Sequence, residues 1–404
     1  MHGDALACDI AIFGGGGAGL WLLDVLVSRG LRVVLLESGR LGGGQTGCAQ
    51  GIIHGGFKYT LDGLVPDAAM SVREMPDLWR ACLEGRRSPI LSGTRVRSEH
   101  CYLWRTGSLR SRLGMLGARI GLHTASRRVP VNQRPEALAS CPGEVARIAE
   151  PVIDPVSFVA ELAGRHRRRI LLIDEQRGLE LVMDSPGRVA AIRLTPGDGG
   201  PARTITPGAV VFTAGAGNEQ LATMAGVSGI ARQQRRPLHM LMARGALPEL
   251  NGHCVDGART RLTITTDSDS AGRTVWQIGG RIAEDGVEMD AAALMRHGAE
   301  EIRAVLPGVD LGGVEFSSYR IDRAEAASSG TRPDDVSVAR EGNVIVAWPT
   351  KLALVPRLAE RIVGILECPE TPPDTDHGVV FEDWPRPEIA QAPWECQAAW
   401  TSDV

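Results

Sequence analysis

Lysine is almost missing from this chain: of 44 basic residues 42 are arginine, leaving only Lys58 and Lys351. Arginine is the default cation, so each lysine marks a place where a compact ammonium is wanted rather than a guanidinium fork. Also missing is any apolar run of about 18 residues, the length a membrane-spanning helix needs. The longest candidate, Ala18 to Val27, is interrupted by Asp24 and soon ended by Gly30, so no transmembrane anchor is expected. Met1 to Asp9 carries acids and lacks the basic and apolar regions of a signal peptide. The eight cysteines form no Cys-x-x-Cys pair and have no histidine at zinc-ligand spacing, which argues against a zinc motif and reads as reduced thiols in a cytoplasmic protein. A net charge of −4 gives no case for nucleic acid. No internal repeat is present.

What is there is an ordinary globular composition, 43% apolar and 23% charged, which excludes disordered and fibrous classes. Single cores stop growing at roughly 250 to 300 residues, so a chain of this length is expected to form two domains. Charge is unevenly spread. Residues 367–404 hold nine acids and one base, Arg386, whereas Arg86 to Arg128 holds ten arginines and one acid, Glu99. The basic stretch reads as a solvated face, a contact with an anionic membrane surface, or a seat for the acidic tail. The tail itself, rich in proline and carrying Trp384, Trp394 and Trp400, should be extended and packed.

Along the chain, Asp9 to Phe13 reads as a buried strand, Ala18 to Ser28 as a helix ended by Gly30, and Arg32 to Leu36 as a second strand. That is a βαβ unit, the opening of a doubly wound parallel sheet. Helices are expected over Pro66 to Leu83, Asp154 to His166, Ala291 to Leu306 and Leu352 to Leu366. Strands are expected over Ala209 to Thr213, within Arg235 to Gly279, and over Asn343 to Ala347.

Between the first strand and helix, Gly14, Gly16 and Gly19 stand at G-x-G-x-x-G spacing, with Gly17 and Ala18 among them. These glycines permit a tight turn, close approach of backbone to a pyrophosphate, and close helix-on-strand packing, while the helix N-terminus faces the phosphate charge. Glu37 ends the next strand, where a carboxylate accepts hydrogen bonds from a ribose. The motif therefore predicts a Rossmann-type dinucleotide site without choosing between NAD and FAD.

Two further glycine-rich stretches, Leu41 to Gly47 and Thr213-Ala214-Gly215, supply additional close backbone approaches. With them, the chain resembles the D-amino acid oxidase superfamily of FAD enzymes, especially the FAD-dependent glycerol-3-phosphate dehydrogenases. Ile52-Ile53-His54-Gly55-Gly56-Phe57-Lys58-Tyr59 is similar to that family's Leu-Ile-His-Gly-Gly-Leu-Arg-Tyr segment, with Lys58 in place of arginine. Pro349-Thr350-Lys351-Leu352 is similar to its Gly-Gly-Lys-Leu. The resemblance implies an α/β fold, a Rossmann-type FAD-binding domain (residues 1–85, 140–230 and 333–404) with an inserted mixed or antiparallel-sheet substrate domain (86–139 and 231–332). It implies FAD contacts from the front glycines, Glu37, Ser38, Thr46, Gln50, Gly51, Ile53, His54, Ala214, Gly215, Thr350, Lys351 and Leu352.

The same resemblance suggests catalytic residues. Lys351, before the last helix, would stabilise negative charge on the reduced flavin. His239 matches a family histidine that works as base, though a hydrogen-bonded core histidine is the plainer reading. Arg320 and Arg332 resemble arginines that hold the substrate anion, and Lys58 and Tyr59 lie in the best-matched motif. His54 reads as a hydrogen-bonding residue beside the cofactor, while some relatives attach flavin covalently through a histidine in a comparable segment. The expected reaction moves a hydride from a C–H bearing OH or NH of a small anionic substrate to the flavin, and electrons pass to a quinone, a carrier or oxygen. A glycerol-phosphate-like alcohol is the first expectation and a 2-hydroxy acid or amino acid the second. A flavin monooxygenase and a non-catalytic flavin module are the other classes weighed.

Overall fold

The computed structural model describes residues 5–56, 72–106, 126–174, 177–196, 200–256, 259–328, 333, 335–366 and 381–404. Two large sheets organise them. In the first, the strands Val344–Trp348, Arg203–Phe212, Ala5–Phe13, Val33–Glu37 and Ile170–Leu172 run parallel in that order. Ser337–Glu341 adds an antiparallel edge, and the hairpin of Leu179–Ser185 and Arg188–Leu194 pairs with the start of Arg203–Phe212. Ala5–Phe13 is central because it is apolar on both faces at Ile10 to Phe13, and it is covered on both.

The helix Gly17–Ser28 is buried on nearly all sides, as suits a helix pressed between this sheet and other helices. Its one buried charge, Asp24, meets Arg165 Nη1 at 2.6 Å and His166 Nε2 at 2.8 Å, which closes the end of the helix Pro155–Arg165 against it. Trp21, Trp79 and Phe158 pack as one aromatic group beneath the sheet. Each fully buried large apolar side chain contributes about 1.5–3 kcal/mol relative to exposure.

The second sheet runs Glu315–Ala326, Gln233–Gly245, Thr274–Gly279, Arg259–Ser268, Gly252–Asp256, Cys101–Trp104, Val145–Ile148, Ser126–Arg128. All neighbours are antiparallel except Gly252–Asp256 with Cys101–Trp104. One face carries Leu241, Ile264, Ile278 and Phe316 and is covered by the helix Ala291–Val305. That helix is capped by Asp290, whose carboxylate accepts from Ala293 N at 2.7 Å, and it buries Leu294, Gly298, Ile302 and Val305 along one stripe. The other face turns toward the first domain.

Element positions follow the sequence expectations closely, with two boundary differences, one of them at the tail, where Thr401 of the segment 333–404 pairs with Phe316 of the second sheet. Val145–Ile148 was expected in the FAD-binding segment 140–230 but pairs with Cys101–Trp104 in the second sheet, because its apolar residues Val145 and Ile148 find their burial there. The first half of the expected helix Pro66 to Leu83 lies outside the described residues; Met75–Leu83 is helical.

The tail is extended and packed. Trp384 is buried and donates to the Leu172 carbonyl at 2.7 Å, Leu41 exchanges backbone hydrogen bonds with the 388–390 stretch, and Thr401 pairs with Phe316. Residues 381–404 thus cross from the edge of the first sheet to the edge of the second. Within the basic stretch, Arg95 and Arg97 point inward to Asp154 and Asp267, and Trp394 of the tail lies over Arg97 with its ring centre 5.4 Å from the guanidinium. No helix among the described residues is long and apolar enough to cross a membrane.

Candidate active site

The carboxyl ends of the parallel strands gather the glycine-rich turns, where ligands of open α/β sheets bind. Gly14 has φ +102°, and a Cβ there would lie 2.6 Å from the Ala214 Cα, so the first turn touches the turn after Arg203–Phe212. At Gly19 a Cβ would sit 1.9 Å from the Gly14 carbonyl oxygen, so helix and turn pack at a distance only glycine permits.

The helix Gly17–Ser28 has no side-chain cap and no acid in its first turn; Gly17 N donates to the Thr46 hydroxyl at 2.9 Å. Positive helix-end charge with a hydroxyl beside it suits a pyrophosphate. Glu37 is fixed at the rim, accepting from Gly15 N at 2.6 Å and Gly39 N at 2.7 Å, with exposed Ser38 next to it.

On the other side, buried Asn218 accepts from Ala214 N at 2.7 Å and donates to the Ala347 carbonyl at 3.0 Å. Trp348 Nε1 donates to the Gly215 carbonyl at 3.2 Å. These bonds tie the Ala214-Gly215 turn to the strand that leads into Pro349-Thr350-Lys351-Leu352. Thr350 is the only non-glycine residue among those described with positive φ, at 57°, and its buried hydroxyl has no partner. Such strain collects at functional sites. Lys351 is half-buried in an extended conformation just before the turn Leu352–Leu354 and the helix Val355–Leu366, and Leu352 packs over Gly17. The glycine cradle, the uncapped helix end, the rim carboxylate and the orphaned Thr350 hydroxyl together fit an extended dinucleotide.

The loop from Gln45 to Gly56 lies between this cleft and the second sheet. Gln45 donates to the Ala324 carbonyl at 3.2 Å, and Gln50 to the carbonyls of Thr263 and Gln277 at 3.0 and 2.8 Å. The Gly51 carbonyl accepts from Ile153 N at 2.9 Å, and Ile53 is fully buried. His54 follows, half-buried, its Nδ1 3.2 Å from the Glu150 carboxylate, whose other oxygen accepts from Gly55 N at 2.7 Å. The His253 ring lies 5.5 Å from that of His54 and is held at Nδ1 by the Thr263 hydroxyl, 2.8 Å away.

Strand alternation decides which sheet residues meet this loop. His239 and Arg320 are cross-strand partners, as a joint role would require, but they stand on the face toward the turn Gly286–Glu288. His239 Nδ1 lies 3.0 Å from the Gly286 carbonyl oxygen and Nε2 2.9 Å from the Ser318 hydroxyl. Arg320 donates to the carbonyls of Val287 and Met289 at 2.9 and 2.6 Å. The loop-facing side instead presents Met240, Tyr319, Gln277, Thr263, Thr265 and His253. There Gln277 donates to the Cys48 carbonyl at 2.9 Å and to the Tyr319 hydroxyl at 2.5 Å. Burial pushes the Tyr319 phenol well above its ordinary value, so it remains protonated. Arg323 shares this face, being four residues, an even number of steps, from Tyr319 along the strand.

Lys58, Tyr59 and Arg332 lie outside the described residues. The sequence reading missed Glu150, Gln277, His253 and Asn218. Only Asn218, next to a glycine-rich turn, carried a local signal; the others are brought in from distant strands.

The sheet order, the helix end and the converging turns define a dinucleotide-binding protein. The chain belongs to the FAD dependent oxidoreductase family, which its residues 9–351 match. It is 40% identical over 400 residues, 97% of this chain and 98% of the other, to a probable FAD-dependent oxidoreductase, PA4991, of Pseudomonas aeruginosa. The crystal structure of that protein aligns over 97% of this chain and 98% of its own with a TM-score of 0.81 and 36% identity. Glycine oxidase from Geobacillus kaustophilus aligns over 92% and 97% with TM-score 0.62 and 17% identity. L-alpha-glycerophosphate oxidase from Mycoplasma pneumoniae with FAD bound aligns over 94% and 99% with TM-score 0.61 and 14% identity. The last two share the fold, so the likeness to glycerol-phosphate enzymes seen in the motifs stands at the level of the family. The protein is an FAD-dependent oxidoreductase with a Rossmann-type cofactor domain and a second sheet domain.

Proposed function

We propose that the chain oxidises a C–H bond bearing OH or NH in a small anionic substrate, first among them a glycerol-phosphate-like alcohol, with His54 taking the hydroxyl or amine proton. The observation that carries this reading is the His54–Glu150 pair on the loop between the cofactor cleft and the polar face of the second sheet. When bound, FAD supplies the hydride acceptor. The chain's own residues do the rest.

Glu150, buried, meets His54 Nδ1, and in the tautomer with its hydrogen on Nδ1 the ring accepts the substrate proton at Nε2. Lys351, at the start of the Leu352–Leu354 turn, offers positive charge where the cofactor gains negative charge. Arg323, on the Tyr319 side of the sheet, is the arginine we assign to the substrate anion together with Arg332, since the Arg320 guanidinium is engaged by two carbonyls. Tyr319 and Gln277 fix the loop that carries His54. Electrons then pass to a quinone, a carrier or oxygen.

The test is an anaerobic screen that follows bleaching of the flavin. Glycerol-3-phosphate, small 2-hydroxy acids and amino acids are offered beside NADH and NADPH, and the reduced protein is then exposed to air or a quinone. Bleaching by one of the small anions and not by the nicotinamides is expected. Reduction by NADPH alone would contradict the proposal, and bleaching by an amino acid alone would replace the alcohol with an amine substrate.

A further inference from the structure

We propose that residues 388–390 of the tail are a strap that retains FAD: they pin the outer side of the loop Leu41 to Gly47, which braces the glycine turn of the cofactor cleft. The reading is independent of which residue takes the substrate proton.

The contacts stack in three layers, with the turn from Gly14 to Gly17 innermost. Against it lies the loop. Gly42 N donates to the Gly15 carbonyl and Gly17 N to the Thr46 hydroxyl, both at 2.9 Å, and the Leu41 side chain fills the space a Cβ would need at Gly15. Outermost is the tail. Leu41 N donates to the Glu388 carbonyl at 2.8 Å and Ala390 N to the Leu41 carbonyl at 2.9 Å, a parallel bridge between Leu41 and Ile389. Leu41 therefore meets the glycine turn with its side chain and the tail with its backbone.

This loop needs such support. Four of its seven residues are glycine, so it has little side-chain packing of its own, and backbone bonds must hold its shape. One closes it on itself, from Gly47 N to the Gly42 carbonyl at 2.8 Å; the pair from the tail fixes it from outside.

The strap is tied at both ends, once to each domain. Before it, Trp384 donates to the Leu172 carbonyl at 2.7 Å, and Leu172 N donates to the Pro385 carbonyl at 2.9 Å. After it, Trp394 is buried with Met242 and Val275 of the second sheet, and the Glu395 carboxylate accepts from Ser270 N at 2.7 Å and the Ser270 hydroxyl at 2.9 Å. Further on, Thr401 and Phe316 exchange backbone bonds of 2.7 and 3.0 Å, and Trp400 lies under the Arg244 guanidinium at 4.0 Å. A segment so anchored cannot follow the loop outward, and outward movement of the loop breaks its bonds to Leu41. The ion pair of Glu388 with Arg40 is exposed at both ends and adds little.

The experiment measures the rate at which holoenzyme loses FAD to an excess of an apoflavoprotein that scavenges the free cofactor, together with the FAD dissociation constant, well below the melting temperature. Wild type is compared with Ala390→Pro, which lacks the N–H that meets Leu41, and Ala390→Gly, which keeps it. Ala390→Pro should release FAD roughly three- to tenfold faster and bind it correspondingly more weakly, the size of one net hydrogen bond, while Ala390→Gly stays within about twofold of wild type. Wild-type release in Ala390→Pro overturns the strap. So does equal acceleration in both variants, because general loosening of the backbone would then set the rate. A second measurement needs no variant. If the strap favours bound FAD, bound FAD favours the closed strap, so amide exchange at Leu41 and Ala390 should be at least about threefold slower in the holoenzyme than in the deflavinated full chain. Equal exchange in the two forms overturns the proposal even if the proline variant fails to fold.

Discussion

Gln277 in the second sheet donates its amide to the Cys48 carbonyl, 2.9 Å away and 229 positions earlier in the chain. A side chain of one domain thereby holds the loop that lines the cofactor cleft of the other, and the Tyr319 hydroxyl, 3.2 Å from the same carbonyl, reinforces it. Replacing Gln277 by Leu removes one of the two donors to that carbonyl and the donor to the Tyr319 hydroxyl, at about 0.5–1.5 kcal/mol for each net hydrogen bond. If roughly 1.4 kcal/mol of that falls on the bound state, FAD affinity drops about tenfold. Titration of deflavinated protein with FAD measures this, and an unchanged affinity would show that the loop does not depend on Gln277.

The tail is held more by indoles than by charge. Among its described residues, the ion pairs Glu382 with Arg168 and Glu388 with Arg40 are exposed at both ends and contribute little. Trp384 is buried and hydrogen-bonded to Leu172. Trp384→Ala should cost about 3–5 kcal/mol and lower the melting temperature by roughly 3–6 °C, whereas Glu382→Gln should change it by about a degree or less. Calorimetry distinguishes these outcomes. A Trp384→Ala protein that melts like wild type would mean that the tail adds nothing to the fold.

Acid should loosen the join between the first helix and Pro155–Arg165. Burial alone would raise the Asp24 carboxyl, but hydrogen bonds from His166 and Arg165 outweigh it and hold the group below the usual carboxylate range. A depressed carboxyl stabilises the fold above its unfolded value, near 3.8 here, and loses that contribution as pH falls through the lower folded value. Asp24→Asn should therefore be less stable than wild type at neutral pH, with the gap closing below about pH 4. Urea midpoints of the two proteins at pH 7 and in that acid range would show it, and a gap independent of pH would contradict the pairing.

Much of this was legible in the chain because it is local. Gly14, Gly16, Gly19 and Glu37 lie within 24 residues and announce a strand, turn, helix and strand whose spacing alone sets the chemistry. The apolar runs of the sheet and the stripe of Ala291–Val305 are likewise written in neighbouring residues. The candidate site was less legible. His239 and Arg320 could be paired from their alternating strands, but which face turns to the cofactor loop depends on how helix and loop compete to cover the sheet. Glu150 reaches His54 across 96 positions and Gln277 reaches Cys48 across 229, and no periodicity records such meetings. Sorting Val145–Ile148 into its sheet failed for the same reason.

Proton removal falls, on our proposal, to His54 on the loop, while His239 fastens its strand to the turn at Gly286. The most direct test compares the rate constant of anaerobic flavin reduction in His54→Gln and His239→Gln, with flavin content matched. His54→Gln should reduce about 100-fold or more slowly, the usual size of a lost general base. His239→Gln should stay within a few-fold of wild type while melting at a lower temperature. A large loss of reduction in His239→Gln with His54→Gln near wild type would contradict the account.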